Sequence, residues 1–252
     1  MTAAGVALAG VLGALIGSFL NVVVHRLPRG ESLVSPGSRC PSCGAVVAPY
    51  DNVPLASWLL LRGRCRRCGA RISARYPLVE LITALAFAAV ALARGVDEEL
   101  VLWLPFVAVL IAVAAIDLEH QIIPNRIVAP AAVYGVAASL VIRTDAVPEL
   151  LAAAAAAFAL LLLAALAYPA GMGMGDVKLA GLMGLFLGLS VAPALFTAFI
   201  AGSVVGVALL ARSPAGNRRR GIPFGPFLAL GGFVGVLAGP ELIDLYERAF
   251  LS

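Results

Sequence analysis

Residues 100–124 read LVLWLPFVAVLIAVAAIDLEHQIIP. No charge falls between Leu100 and Ile116, and the first to follow is Asp117. A bilayer-spanning helix needs about 20 predominantly apolar residues. The stretch therefore predicts a transmembrane helix over 100–117 that carries an acid at its end.

Outward from this run the same pattern recurs, predicting further spans near 4–24, 77–94, 126–142, 149–168, 177–191, 192–211 and 223–239. Residues 177–211 form one long run, divided here near Ser190–Pro193; a single tilted span with a re-entrant piece is the alternative. No Lys or Arg precedes the first run, which is long enough to span, so it reads as a helix and not a cleavable signal peptide. Of the 252 residues, 62% are hydrophobic and 13% charged, and the mean hydropathy is +1.00. Those values exclude a disordered chain and an ordinary water-soluble domain. The expected fold is an all-α polytopic membrane protein of about eight helices, with a small insert between the first two. Its parts are the helix 1–24, an insert 25–76, and a membrane part 77–252.

The connecting segments alternate in charge. Nine Arg lie in 25–76, and Arg126, Lys178, Arg212, Arg218, Arg219 and Arg220 join them if eight spans are counted. The other side holds Asp97, Glu98, Glu99, Asp145, Glu149, Glu241, Asp244 and Glu247, with Arg94, Arg143 and Arg248. By the positive-inside rule the Arg-rich side is the cytoplasm and both termini lie outside. The same arginines explain the net charge of +4 through orientation and contact with anionic lipid. No aromatic–Arg pattern suggests a nucleic-acid surface.

The insert holds all four cysteines, as Cys40-Pro-Ser-Cys43-Gly44 and Cys65-Arg-Arg-Cys68-Gly69. Two such knuckles, 21 residues apart, fit a closed tetrahedral zinc site of Cys40, Cys43, Cys65 and Cys68. The glycines permit the tight turns, and Arg64, Arg66 and Arg67 would offset the thiolate charge. Two disulfides are the alternative, which a reducing cytoplasm disfavours. Four thiolates leave no open coordination position, so the metal is expected to fold the insert and not to catalyse.

Ionisable groups within or at the ends of spans are functional candidates. Glu80, Asp117 and Asp176 qualify. Two crossings separate Asp117 from Asp176, which places both at the cytoplasmic face. Paired carboxylates can supply a general base and a general acid around one water. Asp176 follows Gly171-Met172-Gly173-Met174-Gly175, whose glycines allow close backbone approach. The competing readings are local: Asp176 capping its helix beside Lys178, Asp117 pairing with Arg126, or a metal cluster of Asp117, Glu119, His120 and Asp176. Glu80 would pair with an Arg or touch substrate.

At these residues the chain resembles the type IV prepilin peptidases, the bifunctional leader peptidase/N-methyltransferases of type IV pilus and type II secretion systems. The resemblance runs through Gly17-Ser18-Phe19-Leu20-Asn21, both knuckles, Arg75-Tyr76-Pro77-Leu78-Val79-Glu80, Ile116-Asp117, Ile123-Pro124, Gly173-Met174-Gly175-Asp176 and Ile222-Pro223-Phe224-Gly225-Pro226-Phe227. The last Gly-x-Gly-Asp element alone is shared with other intramembrane aspartyl proteases such as presenilins; the ordered set is specific. The resemblance implies catalysis by Asp117 and Asp176 and zinc on the four cysteines. It implies prepilin or pseudopilin substrates, cut after the glycine of a basic leader on the cytoplasmic side of a bacterial inner membrane. It also implies methylation of the new N-terminus from S-adenosylmethionine. No nucleotide-type glycine loop marks a site for that donor, and Gly63 and Glu80 are the nearest suggestions. A peptidase without methylation, a transporter, and a zinc-dependent adaptor are the other readings. Gly13-x-x-x-Gly17 and Gly202-x-x-x-Gly206 permit close helix packing, expected to be internal.

Overall fold

A computed structural model describes residues 2–169, 171–212 and 222–250. Arg218, Arg219 and Arg220, counted above on the basic side, lie outside the described residues. Among the described residues the regular structure is helical, apart from two isolated β-bridges. Seven stretches are long and apolar enough to cross a membrane. The chain forms two compact units, one ending at Val96 and the other beginning at Asp97.

The first unit pairs α1 (Ala3–Arg26) with α3 (Arg75–Arg94). Small residues set their separation. A Cβ on Gly13 would lie 2.6 Å from the Thr83 carbonyl oxygen, and one on Gly17 would lie 2.7 Å from Glu80 Cα. The expected internal role of the first glycine pair therefore holds. Buried Asn21 fastens the same seam, donating from Nδ2 to the Tyr76 carbonyl at 3.0 Å. Between the two helices the insert is mostly irregular, with one short α-helix, α2 (Ala56–Leu60), and 3-10 turns at Leu27–Arg29 and Pro49–Asn52.

The second unit holds α4 (Leu100–His120), α5 (Asn125–Ile142), α6 (Val147–Ala167), α7 (Met174–Leu187), α8 (Val191–Arg212) and α9 (Gly225–Phe250). The long run over 177–211 is indeed two helices. The break spans Gly188–Ser190, where Gly188 takes φ +57, a left-handed conformation that suits glycine. Packing shows that the chain turns back there. Gly202 of α8 lies against Phe224 and Phe227 at the start of α9, whereas Gly239, late in α9, lies against Ser190. α8 and α9 are thus antiparallel, and their glycine contact is internal to this unit as well. α9 extends beyond the expected end at 239 and bends at Ala238, two residues before Pro240, which removes a helical N–H.

At 14 residues α7 is the shortest of the six, about 21 Å against a hydrocarbon core of about 30 Å. It is also the most enclosed, with Val177, Leu179, Ala180 and Met183 fully buried. Gly184 lets it approach α6, since a Cβ there would sit 2.6 Å from the Ala153 oxygen. Where α7 ends, Arg143 binds both carboxylate oxygens of Glu99 at 3.0 and 2.9 Å and lies over the Trp103 ring at 4.3 Å. Glu149 accepts the Leu189 N–H at 3.2 Å. Glu99, Arg143 and Glu149, assigned to one side, thus do lie together at one end of this unit.

Candidate active site and metal centre

One aromatic contact sets the register of α4 against α7. Phe106 and Phe186 stack with centroids 4.5 Å apart and planes inclined by 10°. From Phe106 the chain climbs 11 residues to Asp117, and from Phe186 it runs back 10 residues to Asp176. At 1.5 Å per residue those paths are about 16.5 and about 15 Å. The two carboxylates therefore reach nearly the same height at the opposite end of the unit from Arg143. Both are buried, and each lies within the other's electrostatic influence.

A helix start holds each acid. α9 opens with Gly225-Pro226, and Pro226 has no N–H, so Gly225 carries the first donor of that turn. This N–H meets Asp117 Oδ2 at 2.8 Å. Asp176 is the third residue of α7, and its Oδ2 accepts the N–H of Gly173, just before the helix, at 3.1 Å. That is one arm of a capping box; glycine lacks the side chain for the other. The capping reading of Asp176 is therefore correct in geometry and compatible with a chemical role. Lys178 turns to Asn125 Oδ1 at 3.0 Å, and Asp117 bonds to Gly225, so neither acid uses the basic neighbour weighed from the sequence.

The glycines before Asp176 differ in purpose. A Cβ on Gly175 would meet Ile123 Cβ at 2.8 Å, so the α4–α5 turn packs on this backbone. On Gly171 it would strike the Tyr168 ring, and on Gly173 it would meet nothing closer than 3.4 Å. His120 Nε2 is buried 3.7 Å from Glu119 Oε2. Among the described residues, the group disposed to hold a metal is the four cysteines and not the acids around Asp117.

That group lies in the first unit. The two knuckles are hydrogen-bonded alike. Gly44 N–H reaches the Cys40 carbonyl at 2.8 Å and Gly69 N–H reaches that of Cys65 at 2.9 Å; Cys40 and Cys65 N–H reach Ala45 and Ala70. Gly44 and Gly69 take φ +69 and +71, the left-handed turns expected of them. The four Sγ atoms lie within 4.8 Å of one another, and Cys40 and Cys68 are 3.8 Å apart. A tetrahedron of sulfurs about 2.3 Å from zinc has an edge of about 3.8 Å. The donors therefore fit a zinc-sized ion.

The field on these sulfurs is uneven. N–H groups of Cys43 and Ser42 draw the Cys40 thiol down to about 6. Cys68 stands at about 11; the Ala70 N–H opposes that rise, and burial with the sulfurs of Cys43, Cys65 and Cys40 outweighs it. Arg66, expected to offset the thiolates, instead grips Asp51 through contacts of 2.7–3.0 Å.

Glu80 was the residue whose partner the sequence left open. It is buried, and its Oε2 accepts the Leu55 N–H at 2.7 Å, with the Ser18 hydroxyl as a second donor. Gly63 takes φ +65 with its backbone against the Trp58 ring, which is a packing role. Gly225 stands in Phe224-Gly225-Pro226-Phe227, and a proline directly after it is the sign in the sequence of a helix start there.

Residues 11–94 match the Bacterial Peptidase A24 N-terminal domain, and residues 104–210 match the Type IV leader peptidase family. A protein of Myxococcus xanthus named prepilin leader peptidase/N-methyltransferase is 43% identical over 217 residues, covering 82% of this chain and 64% of its own length. Proteins of the same name from Bacillus subtilis and Pseudomonas aeruginosa are 35% and 34% identical. Those matches cover 96% and 94% of this chain and 98% and 91% of the relatives. No solved structure matches. Kinship at this level, nearly end to end and spanning both the paired acids and the cysteine knuckles, makes the chain a member of the type IV leader peptidase family.

Proposed function

We propose that the chain is a prepilin leader peptidase that cuts with Asp117 and Asp176 and methylates the new N-terminus. The observation that carries the first activity is that two buried acids stand at nearly one height, each fixed by a main-chain N–H at a helix start. One carboxylate takes a proton from water as its oxygen attacks the scissile carbonyl, and the other gives a proton to the departing amine. Helix starts suit such groups, because the N–H dipoles favour negative charge there. The scissile glycine leaves room for an extended backbone beside Ile123 and Gly175.

The chain is a multi-pass protein of a bacterial inner membrane. In this reading the Arg-rich segments face the cytoplasm, so the cut falls on that side, and the outer ends of α1 and α9 face away from it. The substrates are prepilins or pseudopilins presented from the bilayer. Residues 25–76 form the part associated with methylation, and the acid pair of the peptidase lies within 77–252.

Cys40, Cys43, Cys65 and Cys68 would hold structural zinc. When bound, the ion closes both knuckles and neutralises their thiolates without opening a catalytic position. S-adenosylmethionine, the methyl donor of this reading, supplies an activated methyl group.

The test uses purified protein in detergent, a prepilin and S-adenosylmethionine, with product mass as the readout. Wild type should release the leader and add one methyl group, and folded Asp117→Asn and Asp176→Asn should leave the prepilin intact. Cleavage that survives both substitutions would reject the acid pair.

A further inference from the structure

The first unit contains a cavity of about 750 Å³ that the peptidase chemistry leaves unused. That volume lies in the range that encloses a small organic molecule. Its wall is formed by the insert and the adjoining ends of α1 and α3, and includes Cys40 and Cys65. Closing the knuckles on a metal therefore shapes this space directly.

The lining suits a flat, cationic ligand that also carries a carboxylate. Tyr50, Trp58 and Tyr76 contribute aromatic surface, which stacks on a heterocycle and attracts cations. The Trp58 ring is fixed by its Nε1–H bond to the Ile72 carbonyl at 3.3 Å. Arg26, Arg39, Arg67 and Arg71 bring positive charge for a carboxylate, Arg66 is taken up by Asp51, and among the acids of the wall Glu80 is the buried one.

Glu80 is also held in place by an unusual device. Leu55, on the same wall, takes φ +61 and ψ −52, and the Ala56 N–H reaches back to the Pro54 carbonyl at 2.6 Å. This is the rare, strained form of the γ-turn. Glu80 accepts the N–H of Leu55 at its centre. Strained backbone persists where surrounding structure over-determines it, and such places cluster at ligand sites. The clasp fixes a buried carboxylate on the wall of an aromatic-lined cavity.

We infer that this cavity is the site of the methyl donor, with the Glu80 carboxylate facing its sulfonium charge and the aromatic side chains flanking its adenine. The inference rests on the methylation reading above and assigns that reading a place. In the transfer, the amine nitrogen of the cleaved substrate forms a bond to the methyl carbon with its lone pair. The carbon–sulfur bond breaks, its electron pair stays on sulfur as a neutral thioether, and the surplus proton on nitrogen passes to water. The charge lost at sulfur makes Glu80 selective: it favours the sulfonium donor over the neutral S-adenosylhomocysteine left behind.

That difference gives the test. Zinc-loaded full-length protein is dialysed to equilibrium with labelled S-adenosylmethionine or S-adenosylhomocysteine. Glu80→Gln keeps an oxygen for the Leu55 N–H and removes the charge. It should weaken S-adenosylmethionine about tenfold and S-adenosylhomocysteine less than about twofold. Equal effects on both ligands, or none, would overturn the role of Glu80. Photo-crosslinking of the labelled donor to wild type gives the location independently of any variant. Label on peptides containing Tyr50, Trp58 or Tyr76 supports the site, and label only beyond Asp97 rejects it. Wild type that methylates while the label lies elsewhere defeats this inference alone. Wild type that cleaves but neither binds donor nor methylates defeats the methylation reading beneath it.

Discussion

Adding one methyl group at Gly225 should disable cleavage while leaving the membrane helices assembled. The Gly225 N–H lies 2.8 Å from Asp117 Oδ2. A Cβ at this position would lie 2.7 Å from the same oxygen and 3.1 Å from both Cβ and Cγ of Asp117. Carbon and oxygen in ordinary contact stand farther apart, so the carboxylate must move by about half an ångström. Gly225 has no left-handed φ, so alanine strains no backbone there and the whole effect is steric. Overpacking of this kind costs about 1–3 kcal/mol. Its larger effect is on alignment, because a displacement of about 1 Å at a reacting group costs about 100-fold in rate. Gly225→Ala should therefore lower kcat for prepilin cleavage by about 10- to 100-fold, with a smaller change in KM. Gly206→Ala is the matched control, since its Cβ would meet nothing closer than 3.9 Å. Both variants are assayed by initial rates in detergent, with thermal unfolding in parallel. A Gly225→Ala enzyme within twofold of wild type in kcat would refute the claim that this N–H positions Asp117.

Gly175→Ala should lose cleavage to a similar degree, and Ile123→Ala should fail to rescue it, because the predicted clash is with Ile123 Cβ itself at 2.8 Å; rates of the double variant decide this. Metal analysis should find one zinc per chain in wild type and little after Cys40→Ser or Cys65→Ser, and a strong chelator should abolish methylation. Arg143→Ala removes a bidentate contact to Glu99 at the far end from both acids; it should cost about 1–3 kcal/mol in stability, read as a lower unfolding temperature, with kcat of the folded fraction unchanged. Gly17→Leu should prevent proper pairing of α1 with α3, because even a Cβ there lies 2.7 Å from Glu80 Cα; a hydrogen-exchange increase in both helices would register it.

Much of this arrangement was readable from apolar length and parity. An even number of crossings between Asp117 and Asp176 is enough to put them at one end, whatever the exact boundaries. The knuckles were equally plain, because Cys-x-x-Cys-Gly specifies a local turn and its thiols together. Other features depend on partners far away in the chain. Nothing near Asp117 announces that Gly225, 108 residues later, supplies its hydrogen bond. Arg66 looks from the sequence like a thiolate neighbour, yet Asp51 claims it, because a bidentate carboxylate is a better partner for guanidinium than a diffuse cluster of sulfurs. Glu80 was a candidate because it is an acid at the end of a span, but only the fold shows that it holds the strained turn at Leu55.

The place where α7 starts connects the fold to the chemistry. α4 has 21 residues and is about 31 Å long, whereas α7 has 14 and is about 21 Å long. Beyond the Phe106–Phe186 stack α4 runs six residues to Leu100 and α7 one to Leu187, so most of the missing length falls at the Arg143 end; toward the acids the two helices reach about 21 and about 18 Å from the stack. α6 ends at Ala167 and α7 starts only at Met174. The described residues between them stand outside a helical ladder, and their N–H and carbonyl groups need other partners. Asp176 satisfies one of them by accepting from Gly173. A helix begun a turn earlier would satisfy the same groups internally and would carry Asp176 in its interior, away from any helix start. Starting α7 at Met174 thus leaves the backbone donor that Asp176 answers, and the Phe106–Phe186 register sets this acid level with Asp117.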